Sequence, residues 1–464
     1  MFTIHEICAA TAGRLIGAAG AVVDGISTDS RTVAPGQLFV PLRGERFDGH
    51  DFIADLAKRG ITVLLAEEQW LKSHSVPSAA SCIAVKDTLH ALGDLAAAWR
   101  RRFDVPVIGV TGSNGKTTVK EMLAAILQQS GPGLKTSGNL NNLIGLPQML
   151  FQLRPEHGWA VLEMGMSEPG EIDRLAEIAR PRVGIVLNAL PAHLQSMGTV
   201  EAVAAAKGEL LNRISDNGLA VVNADDPRVA SLHQNPSARR ISFGIKRGEV
   251  RAREIEPLGL DGQRFLLVTP KGEIPINLRA CGRHNIYNAL AAAAALLEKV
   301  DLPLIAAGLQ SFTPYKGRFQ MERLDTITII DDSYNANPAS VRAALETLSQ
   351  VAQPGHRIAA LGDMLELGHQ EADAHREIGA LAGQCVDRLY LLGPLMGKYA
   401  AAAAEEAGLQ PQSIQVCTDQ RQIAEYLHKS LNDRDVILVK GSRGMTMELV
   451  ASELTKLMQP DKEE

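Results

Sequence analysis

The stretch Gly112-Ser-Asn-Gly-Lys-Thr-Thr118 places two glycines, one lysine and two threonine hydroxyls together. That set suits phosphate chemistry. Glycines let backbone N–H groups converge on anionic oxygens at a helix N-terminus. Lys116 adds a point charge toward β- and γ-phosphates, and the Thr117 hydroxyl is a ligand type for Mg²⁺. The flanks supply what must position them. Residues 105–110 form a short apolar run with β-branched members, which predicts a buried strand. From Lys116 onward, Val119, Met122, Leu123, Ile126 and Leu127 recur at three- and four-residue steps, which predicts a helix. Strand, glycine loop and helix make a phosphate-binding loop, with Gly112, Ser113, Asn114, Gly115, Lys116, Thr117 and Thr118 as its expected ligand residues. Val110 stands where the general pattern has its first glycine, so this is a shorter form. The competing reading is a glycine-rich turn before an ordinary helix. The strand and helix favour the phosphate loop, because they lie where the mechanism needs them.

The bulk properties narrow the class. A chain of 464 residues exceeds one hydrophobic core and predicts several domains. A net charge of −6 and only 4% aromatic residues argue against a nucleic-acid-binding or base-stacking surface. Five scattered cysteines without a Cys-x-x-Cys pair suit a reducing cytoplasm and give no metal framework. No apolar run approaches the roughly 20 residues of a membrane span, and the N-terminus does not read as a signal peptide.

Further polar clusters follow predicted strand ends, where open α/β sheets bind ligands. Glu163 ends one such run, Asn188 another with His193 five residues on, and Asn223 a third. Glu163 beside a phosphate loop reads as a carboxylate for Mg²⁺, which needs only one or two. The loop at 135–147, with Asn139, Asn141 and Asn142, is rich in donors and acceptors, and reads either as a long turn or as a substrate-facing loop. Upstream, Ser30, Arg31, Arg43 and Arg46 read as donors to a polar anion or as solvated loop residues, and composition does not choose. Lys207, among alanines, has the pattern of a solvated helix residue. Asn288 suits an adenine edge or a capping region. Residues 250–278 read as a β-excursion, and 313–319 as a linker carrying Arg318. After it, strand–helix pairs restart, which predicts a second doubly wound unit.

Several of these stretches together resemble the Mur ligases, ATP-dependent enzymes that add amino acids to the peptidoglycan precursor. The resemblance rests on Ser-Thr-Asp-Ser-Arg at 27–31, Thr-Gly-Ser-Asn-Gly-Lys-Thr-Thr at 111–118, Asn-Leu-Asn-Asn-Leu-Ile-Gly-Leu-Pro at 139–147, Leu-Glu-Met-Gly at 162–165 and Pro-Ala-His-Leu at 191–194. It continues in Ala-Lys-Gly-Glu at 206–209, Asp-Asp-Ser-Tyr-Asn-Ala-Asn-Pro at 331–338, Leu-Gly-Asp-Met-Leu-Glu-Leu-Gly at 361–368 and Lys-Gly-Ser-Arg-Gly-Met at 440–445. The phosphate loop marks only the superfamily. The stretches at 141–147 and 440–445 point to the subgroup that joins D-alanyl-D-alanine to UDP-N-acetylmuramoyl-tripeptide, and the Asp-Asn-Pro-Arg tetrapeptide of the ligases adding the third residue is absent.

The resemblance implies an α/β fold of three domains: a small UDP-sugar-binding domain (1–84), a P-loop parallel-sheet ATPase domain (85–313) and a Rossmann-like closing domain (314–464). It implies ATP and two Mg²⁺ ions, with Lys116 and Thr117 at the phosphates, and Thr117, Glu163, His193 and a carbamylated Lys207 around the metal. This displaces the solvated reading of Lys207. It puts Asn288 at adenine, Arg318 at the γ-phosphate and Asp332 at the nucleotide. Ser30, Arg31, Arg43 and His50 are expected at the UDP-sugar, Asn139 and Asn142 near the acceptor substrate, and Asn335, Ser442 and Arg443 at the dipeptide. Lys116, Lys207, His193 and Arg318 are the expected catalytic set. The expected reaction passes through an acyl phosphate, in a cytoplasmic monomer with small-molecule substrates, no nucleic acid and no membrane span. The rivals are a folylpolyglutamate-type ligase, disfavoured by the domain preceding the phosphate loop, and a nucleotide switch that hydrolyses ATP without forming a bond.

Overall fold

The computed structural model describes residues 1–44, 46–191, 194–351 and 355–458. The chain forms two compact units: residues 1–109, 132–166 and 171–181 in the first, and residues 110–131, 167–170 and 182 onward in the second. The strand Val107–Thr111 crosses this division, so the phosphate loop belongs to the second unit.

In the first unit a five-stranded sheet runs in the order Arg14–Ile16, Ser81–Val85, Val63–Glu67, Gln37–Phe39, Gly25–Ser27. All its neighbours pair in parallel except Arg14–Ile16. Val63–Glu67 and Ser81–Val85 read as continuous apolar runs because parallel strands are covered on both faces. Phe39, Leu64 and Cys82 pack there with Ile53, Leu56 and Ile61. The first helix, Ile4–Thr11, starts at a reciprocal cap, Thr3 Oγ1 accepting the Glu6 N–H and the Glu6 carboxylate accepting the Thr3 N–H. This unit also holds the parallel pair Leu134–Lys135 and Ala160–Glu163.

The second unit contains two sheets. In one, Val183–Val186, Leu219–Asn223, Arg239–Gly244 and Val250–Pro257 pair in parallel. Gln263–Thr269 and Gly272–Leu278 then extend it antiparallel, which is the β-excursion expected over 250–278. In the other, six strands run in the order Gln320–Leu324, Ile327–Asp331, Val436–Lys440, Arg357–Gly362, Arg388–Leu392, Ile414–Cys417, parallel except at the first pair. Alternate side chains serve opposite faces, as the two-residue strand period requires. Ala359, Leu361, Val436 and Leu438 face Pro338–Ser349 and Glu371–Cys385. Ile358, Ala360, Ile437 and Val439 face Gln420–Ser430 and Glu448–Met458. This is the doubly wound unit expected after the linker. Among the described residues no helix is long and apolar enough to cross a membrane.

Candidate active site

The phosphate loop joins Val107–Thr111, entirely buried, to the helix Lys116–Leu127. Gly115 adopts φ +90°, where an L side chain is strained, and a Cβ there would lie 2.4 Å from Asn288 Oδ1. The tight turn therefore requires glycine. Lys116 Nζ donates to the Gly112 carbonyl at 2.8 Å, so the lysine arches over its own loop.

Asn188 grips the loop from the end of the neighbouring strand. Its Oδ1 accepts the Asn114 N–H at 2.9 Å, its backbone carbonyl accepts the Ser113 N–H at 3.1 Å, and its Nδ2 donates to the Asn114 carbonyl at 3.1 Å. The Ser113 hydroxyl donates to the Leu190 carbonyl and accepts the Leu190 N–H. Ser113 and Asn114, expected among the phosphate ligands, thus spend their donors inside the protein and fix the loop's shape. A helix start directs its first N–H groups outward, and this helix opens at Lys116.

The linker returns to this loop. Arg318 Nη2 approaches Thr117 Oγ1 at 3.4 Å, and its guanidinium lies 4.0 Å from the centre of the Tyr334 ring. The Phe319 N–H donates to Asp332 Oδ1 at 3.1 Å. Lys440, at the end of its strand and 2% exposed, donates to Asp332 Oδ2 at 2.6 Å and to the Asn335 carbonyl at 2.9 Å. Asn335 Oδ1 accepts the Ala336 N–H and, at 3.3 Å, the Arg443 N–H. Arg443 pairs with Glu448 at 2.8 Å and leaves much of its side chain exposed. Ser442 is buried; its hydroxyl donates to the Ala336 carbonyl and accepts the Leu365 N–H. Ser442, expected at the dipeptide, thus ties two loops together through its hydroxyl.

Lys207 lies in the helix Val200–Asn212 and is 3% exposed. Burial, and secondarily the Lys116 charge, push its ammonium down to about 7. Asn288 is also buried; its Nδ2 donates to Asn285 Oδ1, and its Oδ1 abuts Gly115. It therefore supports the loop directly.

Ser30, Arg31, Arg43, His50, Asn139, Asn142 and Glu163 belong to the first unit. Glu163 ends its strand 2% exposed, and its N–H donates to Thr136 Oγ1 at 2.9 Å. The Gly165 N–H donates to the Asn141 carbonyl, so the asparagine-rich loop packs beside this carboxylate's segment. Asn142 Oδ1 accepts the Ile144 and Gly145 N–H groups and opens the helix Gly145–Leu150. Asn139 accepts the Asn141 N–H on its carbonyl. Gln148, from that helix, donates to Thr28 Oγ1 at 3.0 Å, joining this loop to the hydroxyl-rich stretch at 27–31. Arg31 forks onto Asp29 and holds that carboxyl down at about 2. The Ser30 carbonyl accepts from Arg59. Arg43 bridges Asp48 and Glu67. His50 is 1% exposed; its Nδ1 contacts Asp48 Oδ1 at 2.5 Å and its Nε2 accepts the Glu67 N–H at 3.1 Å. His50, expected at the UDP-sugar, has both ring nitrogens engaged and braces Asp48 and Glu67.

His193 lies outside the described residues. Among the described residues no group of three or more His, Cys, Asp and Glu side chains forms a metal cluster. Asn188, Asn337, Lys440, Thr28 and Gln148 were not reachable as site residues from spacing alone. The one signal was their place at polar strand ends or inside the motif stretches.

Comparison with known proteins decides the family. Residues 22–100 match the Mur ligase family catalytic domain, 110–296 the Mur ligase middle domain and 317–443 the Mur ligase glutamate ligase domain. The chain belongs to the Mur ligase family. An Escherichia coli (strain K12) Mur ligase, UDP-N-acetylmuramoyl-tripeptide--D-alanyl-D-alanine ligase, is 38% identical over 460 residues, covering 97% of this chain and 98% of its own. The crystal structure of the Mur ligase MurF from Acinetobacter baumannii superposes with a TM-score of 0.89 at 35% identity, covering 98% of this chain and 99% of that one. MurF ligase from Thermotoga maritima, solved in complex with ADP, gives 0.83 at 29% identity, covering 94% and 98%.

Proposed function

We propose that this Mur ligase joins D-alanyl-D-alanine to UDP-N-acetylmuramoyl-tripeptide at the cost of ATP. The observation that carries this beyond nucleotide binding is Arg318, which reaches from the linker to Thr117 of the phosphate loop in a chain that matches such ligases over its whole length. A carboxylate does not condense with an amine in water. The γ-phosphoryl group passes to the tripeptide's terminal carboxylate, the dipeptide amine attacks the resulting acyl phosphate, and phosphate leaves. Lys116 and Arg318 are assigned to neutralise charge on the transferring group. Asp332, held by Lys440, is assigned to the nucleotide. Arg443 is assigned to the dipeptide carboxylate, since its guanidinium is exposed and suits bidentate capture.

The residues present fit both ATP and Mg²⁺. Gly115 offers its backbone at a helix start, and the Thr117 hydroxyl in the first turn is an oxygen donor of the kind that Mg²⁺ takes. When bound, Mg²⁺ supplies charge neutralisation at the phosphates. Lys207 fits carbamylation, because an amine titrating near 7 presents the neutral nucleophile that adds CO₂ and releases a proton, leaving an anionic oxygen ligand.

The test is phosphate release measured with ATP while each organic substrate is supplied or withheld, using tripeptides ending in lysine and in diaminopimelate. Release should require both the tripeptide and D-alanyl-D-alanine, with pentapeptide formed in step. Release indifferent to either substrate sinks the ligase reading in favour of a nucleotide switch.

A further inference from the structure

A pair of amides joins the phosphate loop to the last third of the chain. Asn114 Nδ2 donates to Asn337 Oδ1 at 3.2 Å, and Asn337 Nδ2 donates to Asn114 Oδ1 at 2.8 Å. The two residues lie 223 positions apart. The orientation is fixed by the rest of the network. Asn337 is the N-cap of the helix Pro338–Ser349, so its Oδ1 must accept the Ser340 N–H, at 2.9 Å. Its Nδ2 is therefore the donor, and Asn114 must present its carbonyl oxygen in return. On the other side Asn114 is held through its backbone alone, by Asn188. Its side chain is thus spare to reach Asn337. Three asparagines on a strand end, a phosphate loop and a helix cap form one continuous chain of amides.

We infer that Asn337 is a positioning residue for ligation: its amide, clasped to that of Asn114, holds the C-terminal sheet against the phosphate loop while the acyl phosphate exists. This rests on the ligase reading above. The chemistry gives the clasp its value. An acyl phosphate is hydrolysed by any water that reaches it before the amine does. The clasp sits in the same segment as Asp332 and Tyr334, so releasing it loosens the groups that Arg318 and Lys440 organise. Two neutral hydrogen bonds suffice for a reversible latch: losing them shifts the clasped-to-open ratio roughly five- to thirtyfold. A stronger link, such as an ion pair, would oppose product release.

The clasp and the cap are separable. Asn337→Ser keeps a good N-cap and removes the amide pair. The reading is the ratio of phosphate released to peptide bond formed, at saturating substrates, with melting temperature alongside. Wild type should release one phosphate per bond; a wild type that forms no bond refutes the ligase reading itself. Asn337→Ser should melt like wild type, hold its KM for ATP within about twofold, and raise wasted phosphate release roughly five- to thirtyfold. Asn337→Asp, which keeps the cap and can accept from a flipped Asn114 amide, should fall between. Asn114→Ala with Asn337→Ser should waste no more than the worse single variant, because both remove the same pair. A coupling ratio in Asn337→Ser equal to wild type overturns the clasp, and so does a double variant whose waste is the product of the singles.

Discussion

Lys207 and Lys440 are buried to almost the same extent, 3% and 2% exposed, and meet opposite surroundings. Lys440 ends a central strand and donates to Asp332 Oδ2 at 2.6 Å, with two backbone carbonyls completing its shell. Lys207 sits on an alanine-rich helix face, and the charge that acts on it is another cation, Lys116. Burial alone therefore does not decide what a lysine does. With a carboxylate it becomes a fixed ammonium that organises loops. Against a cation it becomes a titratable amine ready for covalent chemistry.

Removing each lysine should separate the two cases. Lys440→Met leaves Asp332 mostly buried without its counter-ion and should cost about 3–5 kcal/mol of stability, read by denaturant unfolding. A loss below about 1 kcal/mol would mean that the pair behaves like a surface ion pair. Lys207→Met removes a cation that burial penalises, so its stability should hold or rise, while ligase turnover should fall on the order of 10²–10³-fold. Lys207→Ala should regain part of its activity with short carboxylic acids, which replace the missing carbamate. Full activity in either Lys207 variant would refute the carbamate assignment.

The pH dependence sharpens the contrast. Lys207 titrates at about 7 when folded, against an ordinary value of 10.5. Between those values the unfolded chain holds the proton and the folded chain does not, so this group makes stability rise with pH, by about 1.4 kcal/mol per unit. In CO₂-free buffer the wild-type slope from pH 7 to 10 should exceed that of Lys207→Met; equal slopes would show that Lys207 titrates normally. The smallest effect belongs to the groups around Lys440. Tyr334→Leu removes the ring under Arg318 and should reduce kcat with a stability change of about 1 kcal/mol. A kcat unchanged from wild type would show that Arg318 needs no aromatic seat.

Local pattern carried much of this in the sequence. The phosphate loop was legible because glycine, lysine and hydroxyl must be contiguous for their backbone to converge on one anion. The strands Arg357–Gly362, Arg388–Leu392 and Val436–Lys440 were legible because buried parallel strands are apolar throughout. The edge strand Ile414–Cys417 and the helix Gln420–Ser430 left weaker traces. Four residues at an edge are too few to show a period, and that helix buries only Ile423, Ala424 and Leu427. The burial of His50 was not legible, because it depends on a strand further along the chain, whose Glu67 N–H the ring accepts.

The sequence by itself determined the α/β class, the phosphate loop and the motif order of a Mur ligase, since each depends on neighbours within a few residues or on a pattern shared along the chain. Only the tertiary structure decided which polar groups are spent on one another. Asn188, Asn114 and Asn337 became one chain of amides, Lys440 took Asp332, and Lys207 lost its charge preference. The reason is physical: a hydrogen bond or a desolvation penalty depends on what lies within a few ångströms, and the fold sets that across separations of up to 223 residues.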